Sequence, residues 1–199
     1  MNAKELADTA ELRHRIRRLL AVFRSITVHM QGPGDGQEMA QHLAGRVGAL
    51  GRAAIASIAG MDLECLVLDE LLAHGVHRAQ TVVEGPQVRL NAKAAELMSL
   101  VIHELATNAV KFGALSQPRS RLRVVWWFIG EGLSRLHFEW AENGVRMDTA
   151  ARSTPGFGSQ VVKRLVASEL HGDGELVFLE DGILCSIEFP SDETVSRNE

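Results

Sequence analysis

Glu104, Thr107, Asn108 and Lys111 follow one another at spacings of three, one and three, which on a helix gathers them into one polar stripe. Thr and Asn are poor mid-helix residues because their side chains compete for the backbone, so a stripe containing both asks for a use. A carboxylate, a neutral amide oxygen and an ammonium on one helix face can hold a hydrated magnesium ion with its attached phosphates. The same residues also suit a solvated helix face, and spacing alone does not choose. A second candidate is His14. Each helical residue turns about 100°, so His14 lies about 200° from Leu12 and points away from the apolar seam that Leu12 begins. A neutral imidazole is a competent nucleophile near neutral pH. Glu11, one turn earlier, is set to orient the ring or accept its proton. Arg13, Arg15, Arg17 and Arg18 add a positive field suited to phosphoryl groups and acidic partners. An ordinary exposed histidine on a basic helix is the plainer alternative. A third candidate is Gly156-Phe157-Gly158-Ser159 ahead of a helical pattern, where glycines permit close approach and a helix N-terminus offers free amides to phosphate. His103-Glu104 begins the pattern His-Glu-x-x-Thr-Asn; without a second histidine one turn on, it is not the zinc-protease motif.

These groups need elements to carry them. Leu97, Val101, Leu105, Ala109 and Phe112 form an apolar stripe beside the polar one, with Asn91 as N-cap and Gly113 as the C-terminal stop. His14 belongs to a helix reaching about Met30, in which Leu12, Ile16, Leu19, Phe23, Ile26 and Met30 make a heptad-like seam. Gly32-Pro-Gly-Asp-Gly36 breaks it, and Met39, Leu43, Val47, Leu50 and Ala54 repeat the seam in a second helix from about Gln37 to Ala59. Two such helices cannot bury their seams in a two-helix hairpin alone; a second copy would complete a four-helix bundle, or the hairpin packs on the rest of its own chain. The chain therefore divides into 1–60, a helical hairpin, and 61–199, an α+β domain.

In the second part, Asp62 caps a helix from Leu63 to about Ala73. Thr81–Glu84 and Gln87–Leu90 read as strand, turn, strand around Gly85-Pro86. Arg121–Ile129 and Leu133–Glu142 are strands joined by Gly130-Glu-Gly132, with Trp126 and Trp127 on opposite faces. Asn143–Pro155 is a loop and Gly158–His171 a helix. A last hairpin joins Glu175–Leu179 to Ile183–Phe189, and the tail after Pro190 reads as frayed. The sheet should lie on one side and the helices on the other.

Composition bounds the rest. Of 199 residues, 46% are hydrophobic, enough for a real core, and a net charge of -4 gives no sign of nucleic-acid binding. Cys65 and Cys185 stand far apart and read as buried free thiols of a reducing compartment. No apolar run reaches membrane-spanning length, and the charged start lacks a signal-peptide core. The expectation is a cytoplasmic protein without membrane insertion.

His103-Glu-Leu-Ala-Thr-Asn-Ala-Val-Lys-Phe-Gly-Ala-Leu-Ser116 resembles the N-box of HWE-type sensor histidine kinases, in the GHKL ATPase superfamily. Phe138-Glu-Trp-Ala-Glu142 supplies the other two letters of that name, and Glu11–Ala21 resembles the phosphoacceptor box around His14. The resemblance runs from about Glu11 to Pro190 and lacks a sensor module, so a separate sensor protein or an input segment is implied. It implies a Bergerat-type ATP-binding sandwich after a dimeric helical hairpin. It also implies ATP and Mg2+ as cofactors, a homodimer, and a response-regulator receiver domain as partner. Asn108 would ligate magnesium, Lys111 contact a phosphate, Glu104 act near the metal or its water, and His103 support the pocket. Glu142 would accept from the adenine amino group, and Gly144 let the backbone pass the base. Gly156, Phe157, Gly158 and Ser159 would form the second glycine box. The implied activity is autophosphorylation of His14 followed by transfer to an aspartate; the alternative is a phosphotransfer protein with a degenerate nucleotide site. Two positions depart from the family pattern. Arg18 replaces a usual asparagine on the face of His14, which bears on transfer. Val145 replaces a second glycine, which bears on the nucleotide.

Overall fold

The computed structural model describes residues 44–45, 47–48, 61–76, 80–146, 161–191 and 195–196. Two compact units divide the chain, 1–47 and 48–199. Residues 44–45 and 47–48 are helical, inside the second helix expected from sequence. The first helix, the Gly32–Gly36 turn, the boundary at Gly60, His14, Glu11, Arg18 and the Gly156–Ser159 box lie outside the described residues.

The elements named here belong to the second unit. They are β1 (Met61–Asp62), α1 (Leu63–Ala73), β2 (Thr81–Glu84), β3 (Arg89–Leu90), α2 (Ala92–Lys111), β4 (Arg121–Ile129), β5 (Arg135–Asn143), α3 (Val166–Leu170), β6 (Asp173–Phe178), β7 (Gly182–Pro190) and β8 (Val195–Ser196). Asp62 caps α1 by accepting from the amides of Glu64 and Cys65, and Asn91 caps α2 by accepting from Ala94 at 2.9 Å. Both caps satisfy amides that a helix start leaves unpaired.

A five-stranded sheet runs β2-β4-β5-β7-β6, with β2 parallel to β4 and the other pairs antiparallel. Its two faces differ sharply. Leu136, Phe138, Trp140 and Glu142 of β5 stand opposite Phe189, Ile187, Cys185 and Ile183 of β7, and all of them are buried. The other face carries Trp127 tilted against His137 with ring centroids 4.2 Å apart, the His137–Glu188 contact at 2.8 Å, and Arg123 near Glu139 at 3.5 Å. One apolar and one polar face is the signature of an antiparallel sheet covered on one side. Trp126 is buried and Trp127 exposed, so the two tryptophans do point to opposite faces.

Helices supply the cover. Fourteen of the residues of α2 are buried, so it is a central helix and not a surface one. It packs against both α1 and α3. Leu97, Val101, Leu105 and Ala109 are buried as the stripe requires, but Phe112 is 65% exposed. The reason is local: Phe112 is the C-cap, at φ -134°, and leaves the helical phase before its side chain can join the stripe.

Gly85-Pro86 does not turn a hairpin. β2 pairs with β4, whereas β3 pairs antiparallel with β1 and β8 in a separate three-stranded sheet. The Trp126 indole lies where a Gly85 Cβ would go, and its Nε1–H donates to the Pro86 carbonyl at 2.7 Å, anchoring the segment to β4. The tail is corrected too, since Val195–Ser196 returns as β8. Cys65 is exposed; Cys185 is buried, and burial pushes its thiol up to about 12.

At the far end of the hairpin, Gly182 pairs across from Asn143, and a Cβ there would collide with the backbone carbonyl of Glu142. Two paired backbones cannot both give way. Gly182→Ala should lower stability by about 1–3 kcal/mol, read as a lower urea midpoint at unchanged m-value.

Candidate functional site

The polar stripe of α2 is a gradient from core to solvent. Glu104 is 5% exposed, Thr107 and Asn108 are half-buried, and Lys111 is exposed. A solvated helix face would not bury its carboxylate at one end, so the plain reading of the stripe fails at Glu104. The Thr107 hydroxyl is buried and has no hydrogen-bond partner. Helical threonines commonly satisfy that group on a carbonyl of the preceding turn, so this orphan marks an unmet polar demand one residue before Asn108.

The end of α2 is tied to the end of β5. Glu142 is 1% exposed; its Oε2 accepts from the Ala114 amide at 2.7 Å and its Oε1 from the Trp140 indole N–H at 3.0 Å. Trp140 and Glu142 share a strand face because they are two apart. Ala114 opens the short turn after α2, and a Cβ on Gly113 would overlap the carboxylate, so glycine is needed for that approach. Burial pushes the Glu142 carboxyl up, and the Ala114 and Trp140 hydrogen bonds oppose that rise. Gly144 follows at φ +73°, a conformation that favours glycine, and its carbonyl accepts from the Ser120 hydroxyl at 2.7 Å. Val145, at the position of the expected second glycine, is buried, and its amide donates to the Asp181 carbonyl at 2.7 Å.

The structure thus brings Glu104, Asn108, Lys111, Glu142 and Gly144 onto two joined elements. Sequence reasoning missed how Glu142 is held, although the two-residue spacing from Trp140 was visible. It also missed Glu70. That residue lies on the buried side of α1 with Leu63, Leu66, Val67 and Leu71, and a carboxylate within an apolar stripe was the available signal. Glu70 Oε1 lies 2.6 Å from His103 Nδ1, so the motif histidine faces α1.

Residues 11–87 match the family model described as HWE histidine kinase. Most of the chain also aligns with curated histidine kinases. The blue-light-activated histidine kinase of Rhizobium johnstonii is 30% identical over 195 residues, covering 96% of this chain and 55% of that protein. Blue-light-activated histidine kinase 1 of Erythrobacter litoralis is 31% identical over 192 residues, covering 91% and 52%. The chain is similar to HWE histidine kinases by that family's model over residues 11–87, and to these histidine kinases over nearly its whole length. The chain spans about half the length of the curated relatives it matches.

Solved structures agree on the fold. The blue-light activated histidine kinase of Erythrobacter litoralis superposes with a TM-score of 0.65 at 18% identity, over 92% of this chain and 59% of that one. Its isolated histidine kinase domain gives 0.57 at 16%, over 87% and 94%. The second unit therefore has the expected sandwich of helices on a sheet. No described helix is long and apolar enough to cross a membrane.

Proposed function

We propose that this chain is the kinase portion of a two-component signalling protein. It takes ATP, passes the γ-phosphoryl group to His14, and then yields it to an aspartate on a response-regulator receiver domain. The observation that carries this reading is the Ala114–Glu142 hydrogen bond. It ties two motifs 28 residues apart into one wall, with the polar face of α2 leading into it.

The residues present fit a magnesium nucleotide. Asn108 offers a neutral oxygen of the kind magnesium takes, Lys111 an ammonium at the exposed end of the stripe, and the orphaned Thr107 hydroxyl a further polar contact. When bound, the ion would neutralise phosphate charge and polarise the transferring group. The chain's own residues do the rest. Lys111 draws the phosphates toward the outer end of α2. Glu104 acts from the buried end, near the metal or its water. Glu142 holds the wall closed through two of its roughly four lone-pair sites, and those remaining can accept from an adenine amino group. Gly144 keeps the backbone low beside the base, and the resemblance assigns Gly156, Phe157, Gly158 and Ser159 to the phosphates. At His14 an imidazole nitrogen bonds to the γ-phosphorus as the bond to the departing ADP oxygen breaks, with Glu11 taking the ring proton. Positioning and electrostatics supply most of such a rate. Val47, on the expected seam of the hairpin, is exposed in the single chain, which supports a homodimer as the working form.

The test is incubation with γ-labelled ATP and magnesium. The native chain is expected to take up acid-labile label, and His14→Ala none while still binding nucleotide by calorimetry. Undiminished label on His14→Ala would overturn the assignment of the acceptor.

A further inference from the structure

We propose that Glu70, His74 and His103 form a binding site for a zinc-class divalent cation, separate from the magnesium nucleotide site and independent of the kinase reading. One donor atom from each lies within 4.8 Å of the others. Glu70 Oε1 is the hub, 2.6 Å from His103 Nδ1 and 3.3 Å from His74 Nε2. The two imidazole rings sit 5.7 Å apart, tilted by 33°.

A plain buried ion pair would explain Glu70 and His103 but leaves His74 over. Its Nε2 is buried and makes no hydrogen bond, despite its closeness to the Glu70 carboxylate. A buried nitrogen with a lone pair and no donor is costly, and a cation would meet that demand. The geometry suits one. Ligands bound tetrahedrally to zinc at about 2.0–2.1 Å stand roughly 3.3 Å from each other. The Glu70–His74 separation already has that value, and the Glu70–His103 contact needs to open by less than an ångström.

The donor set decides the class of ion. Two imidazoles and one carboxylate favour zinc and its neighbours over magnesium or calcium, which take oxygen. Glu70 and His74 are four apart at the C-terminal end of α1, while His103 comes from the middle of α2, so the ion would bridge two packed helices. The His74 side chain is 22% exposed, so the cluster lies near solvent, from which a fourth ligand would come.

The test uses the full chain with Cys65→Ser, because that exposed thiol on α1 would bind soft metals by itself. Chelator-treated protein should take up one equivalent of Zn2+ and develop visible d–d absorption with Co2+. At a hundredfold excess over Kd, Zn2+ should raise the melting temperature by about 5–10 °C. Excess Mg2+ should not displace the ion. His74→Ala, at a partly exposed position, should fold normally and lose affinity by tenfold or more; Glu70→Gln should do likewise. Equal Zn2+ affinity and equal Co2+ spectra in the parent and His74→Ala would overturn the proposal, as would no uptake by the parent.

Discussion

Asn108→Ala is expected to abolish labelling from γ-labelled ATP while leaving the protein folded and slightly more stable. The two effects have opposite signs for separate reasons. Asn108 is a half-buried residue in the last quarter of a long helix. Asparagine there costs roughly half a kcal/mol of helix propensity relative to alanine, so its removal should raise the melting temperature by a degree or two. If its oxygen holds the magnesium that binds the phosphates, its loss removes several kcal/mol of charge stabilisation from the transfer step. Each ~1.4 kcal/mol is tenfold in rate, so labelling should fall by roughly a hundredfold or more. Calorimetry should show weakened nucleotide binding with magnesium and little change without it. A helix-packing amide would behave the other way round, losing stability and keeping label, and that pattern would refute the metal role.

The legibility of this fold in its sequence varied with the range of the interaction involved. Local signals read true: the Asp62 and Asn91 caps and the last hairpin are each decided by a few adjacent residues. The misreadings share a cause. Gly85-Pro86 looked like a hairpin because the turn residues were there. What decides the matter is an indole about forty residues away that donates to the Pro86 carbonyl. β8 was invisible because two residues gain strand character only by meeting β3. The site followed the same rule. Asn108 and Lys111 could be read from helical spacing and the family resemblance. The partner of His103 could not, because Glu70 lies on another helix 33 residues away. The resemblance offered Glu142 to an adenine amino group; the structure adds that each carboxylate oxygen also accepts one hydrogen bond from the protein, which no spacing in the sequence announced for Ala114.

That engagement makes Glu142 the position where a single change should cost the most stability. Glu142→Ala orphans the Trp140 indole N–H and the Ala114 amide at a site that is 1% exposed, and leaves a void beside them. Each unmet buried donor costs about 1–3 kcal/mol, so about 3–5 kcal/mol is expected in all. Domains of this kind are stable by only 5–15 kcal/mol, so chemical denaturation should register the loss as a large fall in midpoint. Glu142→Gln is the sharper test, since it keeps the shape and removes the charge. Its single amide oxygen satisfies one donor, and the NH2 opposes the other, so it should cost about 1–3 kcal/mol at acid pH. The difference should then narrow as pH rises. Burial pushes the folded-state carboxyl above its unfolded value, so the native chain holds this proton more tightly than the unfolded chain does. The stabilisation linked to that proton is full below the ordinary carboxylate range and is lost as pH climbs through the raised value. The glutamine variant has no such proton to lose. A gap between the two proteins that widened with pH would mean that ionised Glu142 is favoured over the neutral acid by its two donors, and that burial is the smaller influence.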